Sequence, residues 1–328
     1  AASVVLATAR TAARHEGEIA TITDPHDHGR SYVLLTGPAP QTSLPDGTTW
    51  LPFQRPIPLQ APVGCILGDP LLRPGTPLAF SEGTNILSTC TAGGLWKDQQ
   101  GRLLVVTAAH CAVGPAGIAA ARAFACLGSC PLLAGGVDPA TVTDLVPLGA
   151  VIMADPGPAA EPWLGDIAFI EVPAALHPKA TPIASLTAGP VGEARSVLEG
   201  EILALPGAGR PAGTRAGTAA DPDPARITAL MAAHSGDSGG LLMVSADGWR
   251  AVGVATHALD LLGSRLVLGP SLESIEGMAL RASLCVDLLV AGQDARSPGP
   301  APRAECPPAG GFPLAVTVLG ATEVALGT

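Results

Sequence analysis

A hydroxyl, an imidazole and a carboxylate each stand in a stretch suited to presenting them. Ser238 lies in Gly236-Asp237-Ser238-Gly239-Gly240, where the glycines allow a sharp turn and leave room for a carbonyl carbon to approach. His110 lies in Thr107-Ala108-Ala109-His110-Cys111, and Asp166 heads the apolar run Gly165-Asp166-Ile167-Ala168-Phe169-Ile170. A serine hydroxyl is a weak nucleophile until a base removes its proton. Imidazole takes and returns protons near neutral pH, so it suits both halves of an acyl transfer. A carboxylate behind the imidazole fixes its tautomer and stabilises its cation. The backbone N–H groups of Gly236 and Ser238 would be the donors for an oxyanion that exists only in the transition state. Asp144, followed by Leu145 and Val146, competes with Asp166 for the carboxylate role.

Short strands and turns must position these groups. Forty glycines, 33 prolines and a single tyrosine in 328 residues argue against a mainly helical chain. Asn85 to Thr91 reads as a strand, and Lys97 to Gly101 as a turn. Leu103-Leu104-Val105-Val106 reads as a buried strand delivering His110. Residues 113–136 read as one helical turn or a long loop, and Thr141 to Met153 as one or two strands. The run from Asp166 to Val172 and the stretch from Ala194 to Leu205 read as strands, and residues 206–224 as a Gly/Pro/Ala loop. Arg226 to Met231 leads into the serine turn. Leu241 to Val244 and Trp249 to Ala255 form a hairpin. Arg265 to Leu268 gives a last strand, and Ser271 caps a helix over about 272–284.

With its order of His, then Asp, then Ser, the stretch from about 85 to 280 resembles the chymotrypsin/trypsin-like serine peptidase family. The resemblance implies an all-β fold of two six-stranded antiparallel barrels, with the catalytic residues in the cleft between them. It implies a serine endopeptidase working through an acyl-enzyme on protein or peptide substrates, with neither metal nor organic cofactor. It also implies a disulfide between Cys90 and Cys111 beside the catalytic histidine. Carried onto this chain, the family's pattern sets Ala232 at the floor of the specificity pocket, where it offers no charge. Val252-Gly253-Val254-Ala255-Thr256-His257 resembles the strand that pairs with bound substrate, with Thr256 and His257 replacing the usual serine and aromatic. A small or apolar side chain before the cut is therefore expected. His234 or His257 receiving an acidic side chain, and Asp260 a basic one, are the alternatives. Ile66-Leu67-Gly68-Asp69 follows Cys65 rather than Arg or Lys, so activation by a cut before Ile66 is not expected. A cation other than a freed amine is expected to neutralise Asp237.

Outside that stretch the reading is by composition. Residues 1–65 form an N-terminal extension, 66–290 the peptidase-like domain, and 291–328 a Pro/Gly-rich linker and tail. Residues 3–20 could be a helix or a strand, and 37–63 are extended. Asp24-Pro25-His26-Asp27-His28 reads as a solvated loop, since no metal-specific spacing is present. Leu314 to Leu319 is strand-like and could add to a sheet or occupy a groove. The net charge of −10 disfavours nucleic acid and anionic membranes. No apolar run reaches membrane-spanning length. Seven cysteines leave at least one unpaired or bonded outside the chain. Cys126 and Cys130 could close a small loop, while the pairing of Cys65, Cys285 and Cys306 is open. A Cys90–Cys111 bond favours a secreted or otherwise extracytoplasmic location. A proteinaceous inhibitor, or the chain's own terminal segment in the cleft, is a further partner. Two other readings stand beside the peptidase: a self-processing domain of a larger precursor, and a non-catalytic protease-like binding module.

Overall fold

Successive residues of strand Leu103–Ala108 face two different cores. Leu103 and Val105 join one buried cluster, and Leu104 and Val106 join another. Side chains alternate across a strand, so a strand buried on both faces serves two cores at once. Strand Ile167–Glu171 pairs with it antiparallel and divides in the same way, Ala168 and Ile170 to one side, Ile167 and Phe169 to the other. These two strands hold the middle of the molecule, and both run to the site.

The computed structural model describes residues 70–290, except 84, 114–120, 129, 131–137, 159–160, 183–190, 193–196, 209–212, 221–222, 247 and 262–263. It also describes strands at 19–24, 30–35, 48–52, 57–58 and 317–318. Residues 25–28, Ile66 with its neighbours, Cys65, Cys306 and the 291–312 stretch lie outside the described residues, as do the expectations placed on them.

The first half of the 70–290 region is built from two sheets. One has four strands, in the order Leu145–Pro147, Ala121–Cys126, Pro77–Glu82, Asn85–Thr91. The other has six, in the order Val286–Leu288, Gly94–Asp98, Leu103–Ala108, Ile167–Glu171, Val151–Asp155, Thr317–Val318. Leu78, Phe80, Ala125, Leu103, Val105 and Ile170 fill the space between them. The second half is one nine-stranded sheet. Its order is Val191–Gly192, Gly248–Val254, Leu241–Ala246, Ile202–Gly207, Gly213–Ala219, Arg226–Met231, Ser264–Pro270, His257–Leu261, Ile57–Pro58. Leu203, Leu205, Ile227, Leu242, Val244 and Val267 form its inner core.

A third cluster joins the halves. Leu104, Val106 and Phe169 of the six-stranded sheet meet Leu241, Met243 and Val254 of the nine-stranded one. Helix Leu272–Arg281 closes this seam with Leu272, Ile275, Met278 and Ala279. Ser271 caps that helix as expected, its Oγ accepting from Ser274 N at 3.2 Å. Each fully buried Leu, Val or Phe in such a seam is worth about 1.5–3 kcal/mol.

The all-β expectation holds, with described sheets of three, four, six and nine strands. Two stretches read as loops are partly strand. Within 113–136 lies strand Ala121–Cys126, and within 206–224 lies strand Gly213–Ala219. The first is mostly Ala with one Arg, Phe124 and Cys126, and the second only Gly, Thr, Arg and Ala, so pairing with neighbours decides their state rather than intrinsic preference. The extension carries a separate three-stranded sheet, Ile19–Asp24, Arg30–Leu35, Thr48–Pro52. The strand-like tail adds in parallel to strand Val151–Asp155.

Candidate active site

His110 follows directly from the end of strand Leu103–Ala108, in the four-residue helix Ala109–Ala112. Asp166 immediately precedes the neighbouring strand. Because Ala108 and Ile167 are register partners, the residues just beyond them are brought together. Asp166 takes a left-handed backbone at φ 58°, unusual for a residue with a side chain. Its carbonyl accepts from Ala109 N at 3.0 Å, and its Oδ1 accepts from His110 N at 2.8 Å. Buried backbone strain of this kind persists only where surrounding contacts hold it. The result is a carboxylate, 1% exposed, with Oδ2 2.5 Å from His110 Nδ1.

Ser238 comes from the other half of the molecule, in the turn before strand Leu241–Ala246. Its Oγ lies 2.9 Å from His110 Nε2. With Nδ1–H donated to Asp166, Nε2 is left as the acceptor, which is the tautomer a base needs. Ser238 Oγ also lies 3.0 Å from the carbonyl oxygen of Thr256. The hydroxyl has one proton, so it donates to one of these acceptors at a time.

The turn is held from both sides. Thr91 N donates to Ser238 O at 2.8 Å, and Thr91 Oγ1 donates to Gly236 O at 2.7 Å. Thr107 Oγ1 donates back to Thr91 O, and Gly239 N donates to Ala255 O. Gly239 has φ 87°, and a Cβ there would lie 2.1 Å from Thr107 Oγ1, so only glycine fits. Gly236 has φ 100°. Among the described residues, neither Gly236 N–H nor Ser238 N–H donates a hydrogen bond. Two such donors beside a nucleophile suit a developing oxyanion.

Asp237 is completely buried, and the cation expected for it is Arg215. Arg215 Nε donates to Asp237 Oδ2 at 3.0 Å and Nη2 to Oδ1 at 3.3 Å, while His234 N donates to Oδ2 at 2.7 Å. Gly207 makes room for the carboxylate, since a Cβ there would lie 2.0 Å from Oδ1.

The remaining expected positions divide. Asp144 is away from this centre, its side chain lying against Gly128 and its carbonyl accepting from Leu127 N. Ala232 is exposed at the end of strand Arg226–Met231. Thr256 is fully buried, its carbonyl beside Ser238. His257 is 3% exposed, with Nδ1 3.4 Å from Asp166 Oδ2 and 3.0 Å from Thr256 Oγ1. Its ring meets those of His110 and Trp163 at 5.7 and 6.4 Å between centroids. Asp260 is paired with Arg265 Nε at 2.7 Å, so its charge is already met. Arg265 Nη1 also donates to Ala233 O at 3.1 Å. Sequence reasoning missed Arg215, Thr91 and the placement of His257 behind Asp166. Arg215 sits in a stretch read as loop, and Thr91 has no distinguishing neighbours.

The Cys90–Cys111 bond forms as expected, next to His110, and Cys126 bonds Cys130. Cys285 is also disulfide-bonded. Cys90, His110 and Cys111 bring potential metal-ligand atoms within 4.8 Å of one another. Both sulfurs are tied up in the disulfide, which removes the thiolates a metal would need. Among the described residues, no helix is long and apolar enough to cross a membrane.

No protein-family profile matches the chain, and no curated protein matches it either. Solved structures that match are serine proteases. A protease of Nocardiopsis is 16% identical, over 68% of this chain and 98% of that one, with a TM-score of 0.39. A glutamic-acid-specific serine protease, described as using a histidine triad in substrate binding, is 16% identical over 66% and 100%, with 0.41. Kallikrein-related peptidase 10 is 13% identical over 67% and 98%, with 0.39. At these scores the matches add no weight to the distances given above.

Proposed function

We propose that this chain is a serine endopeptidase of the chymotrypsin type, with Ser238 as nucleophile, His110 as base and acid, and Asp166 as the carboxylate that orients it. One observation carries the reading. Three residues from two halves of the molecule form an unbroken line, from Asp166 Oδ2 through both ring nitrogens of His110 to Ser238 Oγ.

The chemistry follows from that line. Ser238 Oγ attacks the substrate carbonyl carbon while its proton passes to His110 Nε2. The charge that develops on the carbonyl oxygen is met by the N–H groups of Gly236 and Ser238. His110 then gives the proton to the departing amine, leaving an acyl-enzyme. Water, deprotonated by His110, releases the acid and restores the serine. Asp166 stays ionised throughout and stabilises the imidazolium.

Substrate enters as an extended peptide along Thr256, His257 and Ala258. Ala232 carries no charge, and Asp260 is paired with Arg265, so a small or apolar side chain before the cut suits this pocket best. No metal or organic cofactor takes part in these steps. The disulfides favour an extracytoplasmic setting. The functional unit is taken as 66–290, between the extension 1–65 and the tail 291–328.

The test is hydrolysis of a denatured protein and of a mixed peptide library, wild type beside Ser238→Ala. Wild type is expected to cut and Ser238→Ala to lose the activity while keeping its fold. Equal turnover by both would overturn the assignment.

A further inference from the structure

Strand His257–Leu261 has two sides. Strand Ser264–Pro270 takes one, with Ala258 opposite Val267. Ile57–Pro58 takes the other, antiparallel, with Pro58 opposite His257 and Ile57 opposite Ala258. It is the last strand in the order of the nine-stranded sheet. Opposite residues in an antiparallel ladder alternate between pairs that exchange two N–H···O bonds and pairs that exchange none. Proline has no N–H, so Pro58 and His257 are a pair of the second kind. Ile57 and Ala258 are then the pair that exchanges, and the Ala258 N–H is aimed at Ile57 rather than at strand Ser264–Pro270. Proline therefore stands where its missing donor leaves no gap in the ladder. Its fixed φ also lowers the entropy lost when an extended segment docks.

This pairing lies beside the nucleophile. Thr256 adjoins His257, and its carbonyl oxygen is 3.0 Å from Ser238 Oγ. An extended substrate running along Thr256, His257 and Ala258 needs the same side of the strand. The Ala258 N–H and C=O groups bonded to Ile57 are not open to a second peptide at the same time. A strand edge recognises its partner through main-chain hydrogen bonds, and Ile57–Pro58 meets that requirement as a substrate would.

We propose that Ile57–Pro58 is a tethered competitor of the peptide substrate, holding the edge at His257 and Ala258 until it leaves. The proposal rests on the peptidase reading above. Because the segment belongs to the same chain, its effective concentration at the edge is on the order of millimolar. An outside peptide binds only those molecules whose edge is open, and its apparent affinity falls by that fraction. The strand pairs with the edge and not with Ser238, so a small reagent that needs no edge reacts equally fast whether the strand is seated or not.

The test uses the full chain, wild type beside Ile57→Pro, which removes the N–H that Ile57 gives to the ladder. Hydrogen exchange resolved to single amides reads the strand in solution. The Ala258 amide is expected to be protected in wild type and to exchange about tenfold faster in Ile57→Pro. Hydrolysis of a peptide drawn from the mixed library and labelling by a fluorophosphonate are followed in parallel. In Ile57→Pro, kcat/KM for the peptide is expected to rise about tenfold, through KM, with the labelling rate unchanged. An Ala258 amide that exchanges freely in folded wild type overturns the proposal. So does an equal kcat/KM in the two proteins, or labelling that rises as much as hydrolysis. Each of these leaves the peptidase reading standing while the fluorophosphonate still marks Ser238. Labelling in neither folded protein brings down that reading and the proposal with it.

Discussion

Arg215 Nε lies 3.0 Å from Asp237 Oδ2, joining strand Gly213–Ala219 to the residue directly before Ser238. Both side chains are buried, Asp237 completely. Removing one partner of a buried pair leaves a charge in a poorly solvating interior, which costs about 3–5 kcal/mol. Arg215→Met is therefore expected to lower unfolding stability by about that amount in urea titration. It should also weaken probe labelling of Ser238, because the serine turn loses its anchor. Arg215→Met/Asp237→Asn should regain part of the stability, since no bare charge remains, without regaining full activity. A single variant as stable as wild type would show that the pair is not what holds the turn.

His257 Nδ1 lies 3.4 Å from Asp166 Oδ2, the oxygen that also faces His110 Nδ1. The same Nδ1 is 3.0 Å from Thr256 Oγ1, so its effect on Asp166 is that of a nearby polar ring. His257→Phe keeps a ring in the space but gives Asp166 one polar neighbour fewer. We expect kcat to fall by about tenfold, a barrier increase of roughly 1.4 kcal/mol, with KM little changed. A variant that changes KM alone would return His257 to a purely substrate-binding role.

Gly236 has φ 100°, a conformation that costs a residue with a Cβ about 1–2 kcal/mol. Gly236→Ala should relax by turning the backbone, which moves its N–H away from the oxyanion position. Losing one such donor lowers kcat by about a hundredfold or more. Steady-state kinetics on a cleaved peptide reads this directly, and KM should barely move.

The Cys90–Cys111 disulfide closes a loop across a sequence separation of 21 that carries strands Gly94–Asp98 and Leu103–Ala108 and ends one residue after His110. Replacing both cysteines by alanine should cost about 3 kcal/mol in urea unfolding, mainly by freeing the unfolded chain. Unchanged stability in the double variant would mean the seam holds His110 without the link.

The three proposed catalytic residues were legible because each sits in a short local pattern. Gly236 to Gly240 can only turn, and Leu103 to Val106 can only be a buried strand. The strand running from Asp166 was legible for the same reason. Arg215 was not, because residues 206–224 carry few apolar side chains and their strand exists only through pairing with Ile202–Gly207 and Arg226–Met231. The direction of the His257 side chain was also hidden. Thr256 and His257 are adjacent and both buried, and sequence alone does not say which of them faces Asp166. The contact of Ile57–Pro58 with His257 and Ala258 spans some two hundred residues, and neither segment carries a local signal for the other.

The most direct measurement is covalent labelling with a fluorophosphonate probe, followed by peptide mapping, on wild type, His110→Ala and Ser238→Ala. The account predicts one modified residue, Ser238, in wild type. It predicts labelling slowed at least a hundredfold in His110→Ala, which lacks the base, and none in Ser238→Ala. Equal labelling of wild type and Ser238→Ala, or modification at a different residue, would contradict it.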